Sequence, residues 1–520
     1  MANNSVEGWA TRFGLVMAMA GNAVGLGNFL RFPGQAAPYG GAFMIPYFLA
    51  LLLLGIPLMW IEWTIGRHGG GFGHGSTPGM FHRLWSHPIS KYVGILGVLL
   101  PMMVGVYYIY IASWTVGYAY MSLTGEYWGK TDIDSMKQVF QNYLDVADSH
   151  QFIAFPLEAY VFFLITFALN IYILYRGVSA GIEKLALYAM PLLFVLGIIL
   201  AVRVLTLPPV GDRTISDGLA QIWRVTDWSK LSDSQMWIKA TGQIFFTLSV
   251  GLGMVHSYAS YLKKHQDITL NGLATAATNE FVEVVLGGTI AIPAAVLFFG
   301  VTAAQAIVEQ GSFAIGFYAL PVIFQQMPAG QLWAVLWFFL LFLAALTSSV
   351  AMFMPMVLFL TDELQVPRAR AVLGTAIVAL IFSHFIVFFM HHGVLDEVDY
   401  WMGTFGLVVF VALEAVIFCW IFGMERGWIE MHEGAELQIP KIFFYIMKYV
   451  TPLYALVLLG WFAYDGLWPT LIMADKNPAD IPYLWIARGL MLAVMAFLIW
   501  GVWYAWRTHP KFFDEVETEE

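Results

Sequence analysis

The sequence predicts an all-α integral membrane protein of about twelve transmembrane helices, built as two inverted halves of five with the first and sixth helices broken. Three observations carry this. Hydrophobic residues make up 59% of the chain, charged residues 12%, and mean hydropathy is +0.71, whereas a soluble domain averages about 25% charged residues. The apolar residues gather into runs long enough to cross a bilayer, which takes about 20 residues. Finally, the tetrapeptide Val-Gly-Leu-Gly occurs twice, at 24–27 and 250–253, each time inside such a run. Glycine inside a helix costs about 1 kcal/mol relative to alanine, and unwound backbone in a membrane must find partners for its N–H and C=O groups. Glycine-interrupted helices at matching places in two halves point to a transporter's binding site.

Taken in order, the first run (12–37) holds the first break. The second (41–66) stops before Arg67, and the third (92–124) starts after Lys91. The fourth (159–176) ends on Arg176 and the fifth (185–206) begins after Lys184. The sixth (237–262) holds the second break and stops before Lys263 and Lys264. The seventh (271–303) and eighth (332–360) flank a connection, 304–331, that contains no Lys or Arg. The ninth (371–390) follows Arg368 and Arg370, and the tenth (394–423) precedes Arg426. The eleventh (443–466) follows Lys441, and the twelfth (483–506) precedes Arg507 and Lys511. All these basic residues fall on one side, which the positive-inside rule makes cytoplasmic. Both termini are therefore expected in the cytoplasm, with the protein multi-pass in the inner (plasma) membrane.

Five spans is an odd number, so the second half, 237–423, is inverted relative to the first, 12–207. The helices of 443–506 stand outside the repeat, within a single integral domain over 1–520. The lone Cys419 excludes an internal disulfide framework. Much of the net charge of −10 sits in the tail at Asp514, Glu515, Glu517, Glu519 and Glu520, a solvated end. No nucleic-acid partner is indicated. No Walker motif supports ATP-driven transport, and no nucleophile–base pair or metal set supports an enzyme. His68, His74, His82 and His87 crowd one connection without a compact metal spacing. The oligomeric expectation admits a homodimer.

The breaks offer neutral oxygens: backbone carbonyls with Asn22 and Asn28 in the first, Thr247 and Ser249 in the second. Hard cations favour oxygen ligands, and half-helix N-termini suit a carboxylate. Small residues also let membrane helices pack closely, so the residues alone leave both readings open.

The run Trp9-Ala-Thr-Arg12, then 18–33 (Ala-Met-Ala-Gly-Asn-Ala-Val-Gly-Leu-Gly-Asn-Phe-Leu-Arg-Phe-Pro), resembles the neurotransmitter:sodium symporter family, in its bacterial leucine transporter branch. The stretches 55–63, 242–249, 344–349 and 395–399 match in the same order. The resemblance implies the leucine-transporter fold and sodium-coupled symport of an amino acid by alternating access. It implies two sodium sites. One uses Ala23, Asn28, Thr247 and Asn279, completed by the substrate carboxylate. The other uses Gly21, Val24, Ala344, Thr347 and Ser348. For Thr347 and Ser348 the residues alone also allow a plain hydrogen bond to a preceding helical carbonyl.

The same resemblance implies a substrate pocket. Its backbone groups come from Asn22, Ala23, Gly25, Leu26, Gly27 and Thr247, and its walls from Val104, Tyr108, Phe246, Ser249, Leu252, Ser348 and Met352. The branch carries an aromatic residue where this chain has Leu252, and Ile where it has Met352. Both changes soften the wall, so neutral hydrophobic amino acids, aromatic ones included, are expected. Arg31 and Asp399 are implied as the outer gate, bridged by water above a lid of Tyr108 and Phe246. Trp9, Ser260, Tyr261 and Asp362 are implied as the inner gate. The family's Arg three positions before Trp9 is replaced by Val6, which leaves either Asp362 paired with another base, Arg12 or Lys263, or a weaker inward-closed state. Glu283, four residues after Asn279 on one face of the seventh helix, stands where chloride-binding relatives have a small polar residue, so chloride independence is expected. Glu62 and Glu414, also within the membrane, are read as hydrogen-bond partners for irregular backbone. The alternative function is an amino-acid sensor that binds without turnover, distinguished by sodium-dependent uptake into proteoliposomes.

Overall fold

The computed structural model describes residues 8–147, 152–311 and 313–509. Val6 and the acidic tail lie outside the described residues. Among the described residues, ten helices are long and apolar enough to cross a membrane. In chain order they are α2 (Gly40–Gly71), α3 (Ser90–Thr124), α4 (Leu157–Tyr175), α5 (Val178–Leu205), α7 (Thr269–Phe299), α8 (Gly330–Glu363), α9 (Arg368–His392), α10 (Val394–His432), α11 (Lys441–Phe462) and α12 (Ile481–Thr508). The first run is a bent pair, α1a (Arg12–Ala23) and α1b (Gly27–Ala36), meeting at 48°. The sixth is α6a (Ser234–Thr247) and α6b (Met254–Ala259). The coil between them is too long for the two to count as one bent span, so about twelve becomes ten continuous spans and two interrupted ones. Alpha-helix also replaces much of the expected loop: Ile133–Tyr143, Ile215–Trp223, Val301–Glu309 and Ile315–Gln325 are helical.

Burial sorts the helices. In the most apolar stretch, 94% of α3 and 83% of α7 is buried, against 28% of α11 and 39% of α12. The central helices are apolar all round and pack on every face, whereas α11 and α12 keep a face for lipid. α3 packs along α8, and α1a lies against α5, α7 and α8. α6a runs beside α2, and α6b lies between α2 and α8. Both breaks therefore sit in the densest part of the molecule.

The N-terminus of α1a is held from α5. Thr11 caps it by accepting the Gly14 N–H. Glu183 accepts the Ala10 and Thr11 N–H groups at 2.7 and 3.0 Å and the Thr11 hydroxyl at 2.9 Å. A buried glutamate thus satisfies the free donors that begin every helix.

Candidate substrate and sodium site

At the first break Val24 turns extended (ψ 110°) and ends α1a. The amides this frees are taken up by side chains. The Gly25 N–H donates to Asn28 Oδ1 at 2.8 Å, and the Leu26 N–H to the Tyr108 hydroxyl oxygen at 2.9 Å. The freed carbonyls accept from hydroxyls of α8 and of the second break. Ser348 donates among the Gly21, Asn22 and Val24 carbonyls at 3.0–3.3 Å, and Ser249 to Asn22 at 3.0 Å. This is how backbone can unwind away from water. A Cβ on Gly25 would sit 2.7 Å from Tyr108 Oη and 2.9 Å from Ser348 Oγ, so only glycine lets these groups close on the chain.

At the second break Ser249, Gly251 and Gly253 have φ of +56°, +75° and +72°. Left-handed backbone favours glycine, which accounts for both glycines of the second Val-Gly-Leu-Gly. The Gly251 N–H donates to Glu62 Oε1 at 2.5 Å, in line with the reading of Glu62 as a partner for irregular backbone. Gly253 packs directly on the Gly97 backbone of α3.

Between the breaks lies a small cavity of about 20 Å³, bordered by Ala23, Gly25, Asn28, Thr247, Ser249, Leu252, Ser348 and Met352 together with Gly27, Tyr108 and Phe246. None of these side chains is charged. Asn22 takes part through its carbonyl, and Leu26 borders the outer cavity. Val104 is buried one turn from Tyr108 without bordering the cavity.

The residues expected around the first sodium converge. Asn28 Nδ2 donates to Thr247 Oγ1 at 3.1 Å and to Asn279 Oδ1 at 2.8 Å. In the same orientation Asn279 Oδ1 lies 3.3 Å from the Ala23 carbonyl oxygen and 3.1 Å from the Thr247 carbonyl oxygen. Neutral oxygens from α1, α6a and α7 thus crowd one point, a donor set that fits a small hard cation. In the second set, the Gly21 and Val24 carbonyls meet the Ser348 hydroxyl, while Thr347 donates to the Leu343 and Ala344 carbonyls of its own helix at 3.1 Å. For Thr347 that is the ordinary helical back-bond.

Glu283 is fully buried behind Thr247. It accepts from the Thr247 hydroxyl, from Gln243 Nε2 at 3.0 Å and from the Tyr47 hydroxyl at 2.9 Å. Tyr47 also reaches Glu280 at 2.7 Å. Sequence reasoning missed Gln243, Tyr47 and Glu280. Gln243, one turn before Thr247, carried a signal in its spacing, while Tyr47 arrives from α2 with none.

An outer cavity of about 120 Å³ lies beyond the first, bordered by Arg31, Tyr107, Asp396 and Asp399. Gly27, Tyr108 and Phe246 border both cavities and form the partition between them. The Arg31 guanidinium lies over the Phe246 ring, 4.4 Å from its centre, and Asp399 accepts from the Tyr107 hydroxyl at 2.5 Å. Arg31 and Asp399 therefore face one space with separate protein partners.

On the inner side the Trp9 indole donates to the Tyr258 carbonyl at 3.1 Å and meets the Tyr258 and Tyr261 rings edge-on. Ser260 donates to the Ser257 carbonyl at 2.7 Å. The expected pairing of Asp362 with Arg12 is corrected. Arg12 pairs with Glu436 at 2.5 Å and Asp267 at 3.7 Å, while Asp362 accepts the Gly75 N–H at 2.9 Å and the Thr361 hydroxyl at 2.7 Å. Arg12, at the start of α1a, is held instead by the acidic side chains of Asp267 and Glu436. His74, expected in a solvated loop, is instead fully buried with its Nδ1 3.1 Å from Glu363.

A model of the Sodium:neurotransmitter symporter family matches residues 6–142 and 141–499. An uncharacterised sodium-dependent transporter of Methanocaldococcus jannaschii is 28% identical, across 86% of this chain and 88% of its own length. Another from Haemophilus influenzae is 28% identical, across 88% and 98%. The sodium-dependent serotonin transporter of Drosophila melanogaster is 26% identical, across 87% and 75%. Among solved structures, MhsT in complex with L-phenylalanine superposes with a TM-score of 0.74 at 26% identity, across 87% of this chain and 98% of that one.

Proposed function

The chain belongs to the sodium:neurotransmitter symporter family, a family of multi-pass sodium-dependent transporters, and from that premise we propose that it imports neutral hydrophobic amino acids, aromatic ones included, with sodium and without chloride. The observation that carries this reading is the uncharged cavity between two broken helices. Its polar groups are backbone, hydroxyls and the Asn28 amide, and its side walls include Leu252 and Met352. A zwitterion's carboxylate would be met by the Tyr108 hydroxyl and the N–H groups of 25–27, and its ammonium by carbonyls of the breaks. No acidic side chain borders the cavity to pair with a free amine, so the substrate supplies its own carboxylate, which completes the first sodium site beside Asn28, Thr247 and Asn279. Ion and substrate then stabilise each other, which is coupling expressed as a shared contact.

A cavity of about 20 Å³ holds little more than one water, so binding must part α1b and α6a from α3 and α8. Flexible Met352 is suited to follow that change. The phenylalanine bound by MhsT supports the aromatic part of the range. The second sodium would be held by Gly21, Val24, Ala344, Thr347 and Ser348, oxygens that need no anionic substrate. We take 12–207 and 237–423 as the two inverted halves that move against each other, in the inner membrane with both termini cytoplasmic.

The test is uptake of labelled leucine into proteoliposomes under an inward sodium gradient, with the other amino acids as competitors. Sodium-dependent accumulation, inhibited by phenylalanine or tryptophan and indifferent to chloride replacement, is expected. Binding without accumulation would favour a sensor instead, and the absence of inhibition by both aromatic amino acids would sink the wider range.

A further inference from the structure

Between α4, α5 and α8 the surface opens into a groove of about 460 Å³. Only 39% of α4 and 44% of α5 is buried in their most apolar stretches, so both helices turn a face to the bilayer. Small residues give the groove its depth. Ala180, Gly181 and Ala189 of α5 stand back, and Ile173 of α4 with Leu343 and Leu346 of α8 complete the floor. Leu343 and Leu346 neighbour Ala344 and Thr347 in the chain. Met190, next to Ala189, is so placed that a Cβ on Gly21 would meet its sulfur at 3.3 Å. The floor therefore backs onto the proposed second sodium set.

Charge is confined to one end of the groove. Arg176, just past α4, and Lys184, at the start of the regular part of α5, are both exposed there. Arg176 Nη1 donates to the Tyr172 hydroxyl at 3.3 Å. Among the described residues no carboxylate lies within ion-pair distance of Arg176 or Lys184. Arg368 reaches the same end of α4, donating to the Leu174 carbonyl at 3.3 Å. Leu192, the furthest groove residue on α5, follows Lys184 by about 12 Å of helix. Half the hydrocarbon core of a bilayer is about 15 Å deep. The groove thus runs from the membrane–water interface nearly to the midplane, with its cations where headgroups lie. Exposed Tyr172 and Tyr188 stand beside them, as aromatic residues do at that interface.

We propose that this groove binds one anionic phospholipid, its phosphate between Arg176 and Lys184 and one acyl chain along the floor. A cationic mouth without protein counterions, on an apolar channel one leaflet deep, matches the two chemical parts of such a lipid. The seated chain fills the space between α5 and α8 and braces the wall behind Gly21 and Thr347. Its assignment to the cytoplasmic leaflet rests on the proposed orientation; the site itself does not depend on the transport reading.

The test uses the full-length protein in phosphatidylcholine nanodiscs containing a small share of photoactivatable lipid. That lipid is either phosphatidylglycerol or phosphatidylcholine, each with a diazirine in its acyl chain. Phosphatidylglycerol adducts, located by mass spectrometry of the digest, are expected to concentrate on 169–192 and 343–346, several-fold above lipid-facing α11. Each basic residue at an anionic surface is worth about fivefold in binding. Arg176→Gln with Lys184→Gln should therefore bring the adducts down to the α11 level, and Ala180→Trp, filling the groove from an exposed position, should displace them. Equal labelling by the two lipids, or adducts no denser than on α11, would mean ordinary lipid contact and would overturn the proposal. Phosphatidylglycerol added in neutral detergent should also raise the melting temperature of the wild type and leave that of the double variant unmoved. An equal rise in both would overturn the headgroup assignment. Neither readout involves substrate, sodium or turnover, so failure here is distinguishable from failure of the transport reading.

Discussion

Single side chains decide what the pocket can hold and what it needs. Tyr108 accepts the Leu26 N–H and borders both cavities, so one hydroxyl supports the broken backbone and faces the place of a carboxylate. Glu283 sits one residue deep, behind Thr247, with three donors turned toward it. If its charge does the work of a halide, Glu283→Ser leaves those donors facing a hole of the right polarity for an anion. We expect sodium-dependent leucine uptake by that variant to fall about tenfold or more without chloride and to recover when chloride is added. That range follows from removing a charged hydrogen-bond acceptor worth about 1.5–3 kcal/mol. The wild type should be unmoved by chloride, and a variant equally indifferent would refute the substitution.

Among the elements, the two breaks are alike in sequence and different in construction. The first is supported by Asn28 of its own second half and by Tyr108, Ser249 and Ser348 arriving from elsewhere. The second relies on left-handed backbone at Ser249, Gly251 and Gly253 and on Glu62. Gly253→Ala adds a Cβ where φ is +72° and the Gly97 backbone lies in contact. Strain of this kind costs about 1–3 kcal/mol, so the melting temperature and the substrate affinity should both drop. An unchanged melting temperature would contradict the geometry.

The N-terminal end of α1a depends on Glu183 in the same way. Glu183→Gln keeps one acceptor oxygen and loses the charge, which should loosen the contact of Trp9 with Tyr258 and Tyr261, the proposed inner gate. A single cysteine placed at Ser260 reports this, because Cys419 is buried. Its labelling from the cytoplasmic side is expected to be several-fold faster in the Glu183→Gln background. Equal rates would assign the closure to Trp9 alone.

Across the whole molecule, a tightly buried inner set (α3, α7 and α8 around the two breaks) is bounded by lipid-facing α11 and α12. The basic residues at span ends are the ground for the proposed orientation. Fluorescent-protein fusions after Arg507 should be bright and alkaline-phosphatase fusions there inactive, with the reverse for fusions within 304–331. The opposite pattern would invert the proposed topology and with it the direction of each gate.

The spans, their order and the place of each break were legible in the sequence, because hydrophobic length and glycine act locally: a run of apolar residues has to cross, and paired glycines have to weaken a helix wherever they sit. The oxygens around the first sodium set could be named by resemblance, and the chain brings Asn28, Thr247 and Asn279 together. Contacts set by the approach of distant helices were not legible. Tyr47 reaches Glu283 from α2, Glu183 caps α1a from α5, and Arg12 turns to Glu436 rather than Asp362. Nothing local marks His256 either: only the crossing of α2, α6b and α10 places a glutamate beside each of its nitrogens. The sequence by itself determined which segments enter the membrane and where their backbone opens. Tertiary structure decided what meets each opened group, because in a medium without water every freed donor and acceptor has to be answered by whichever helix lies alongside.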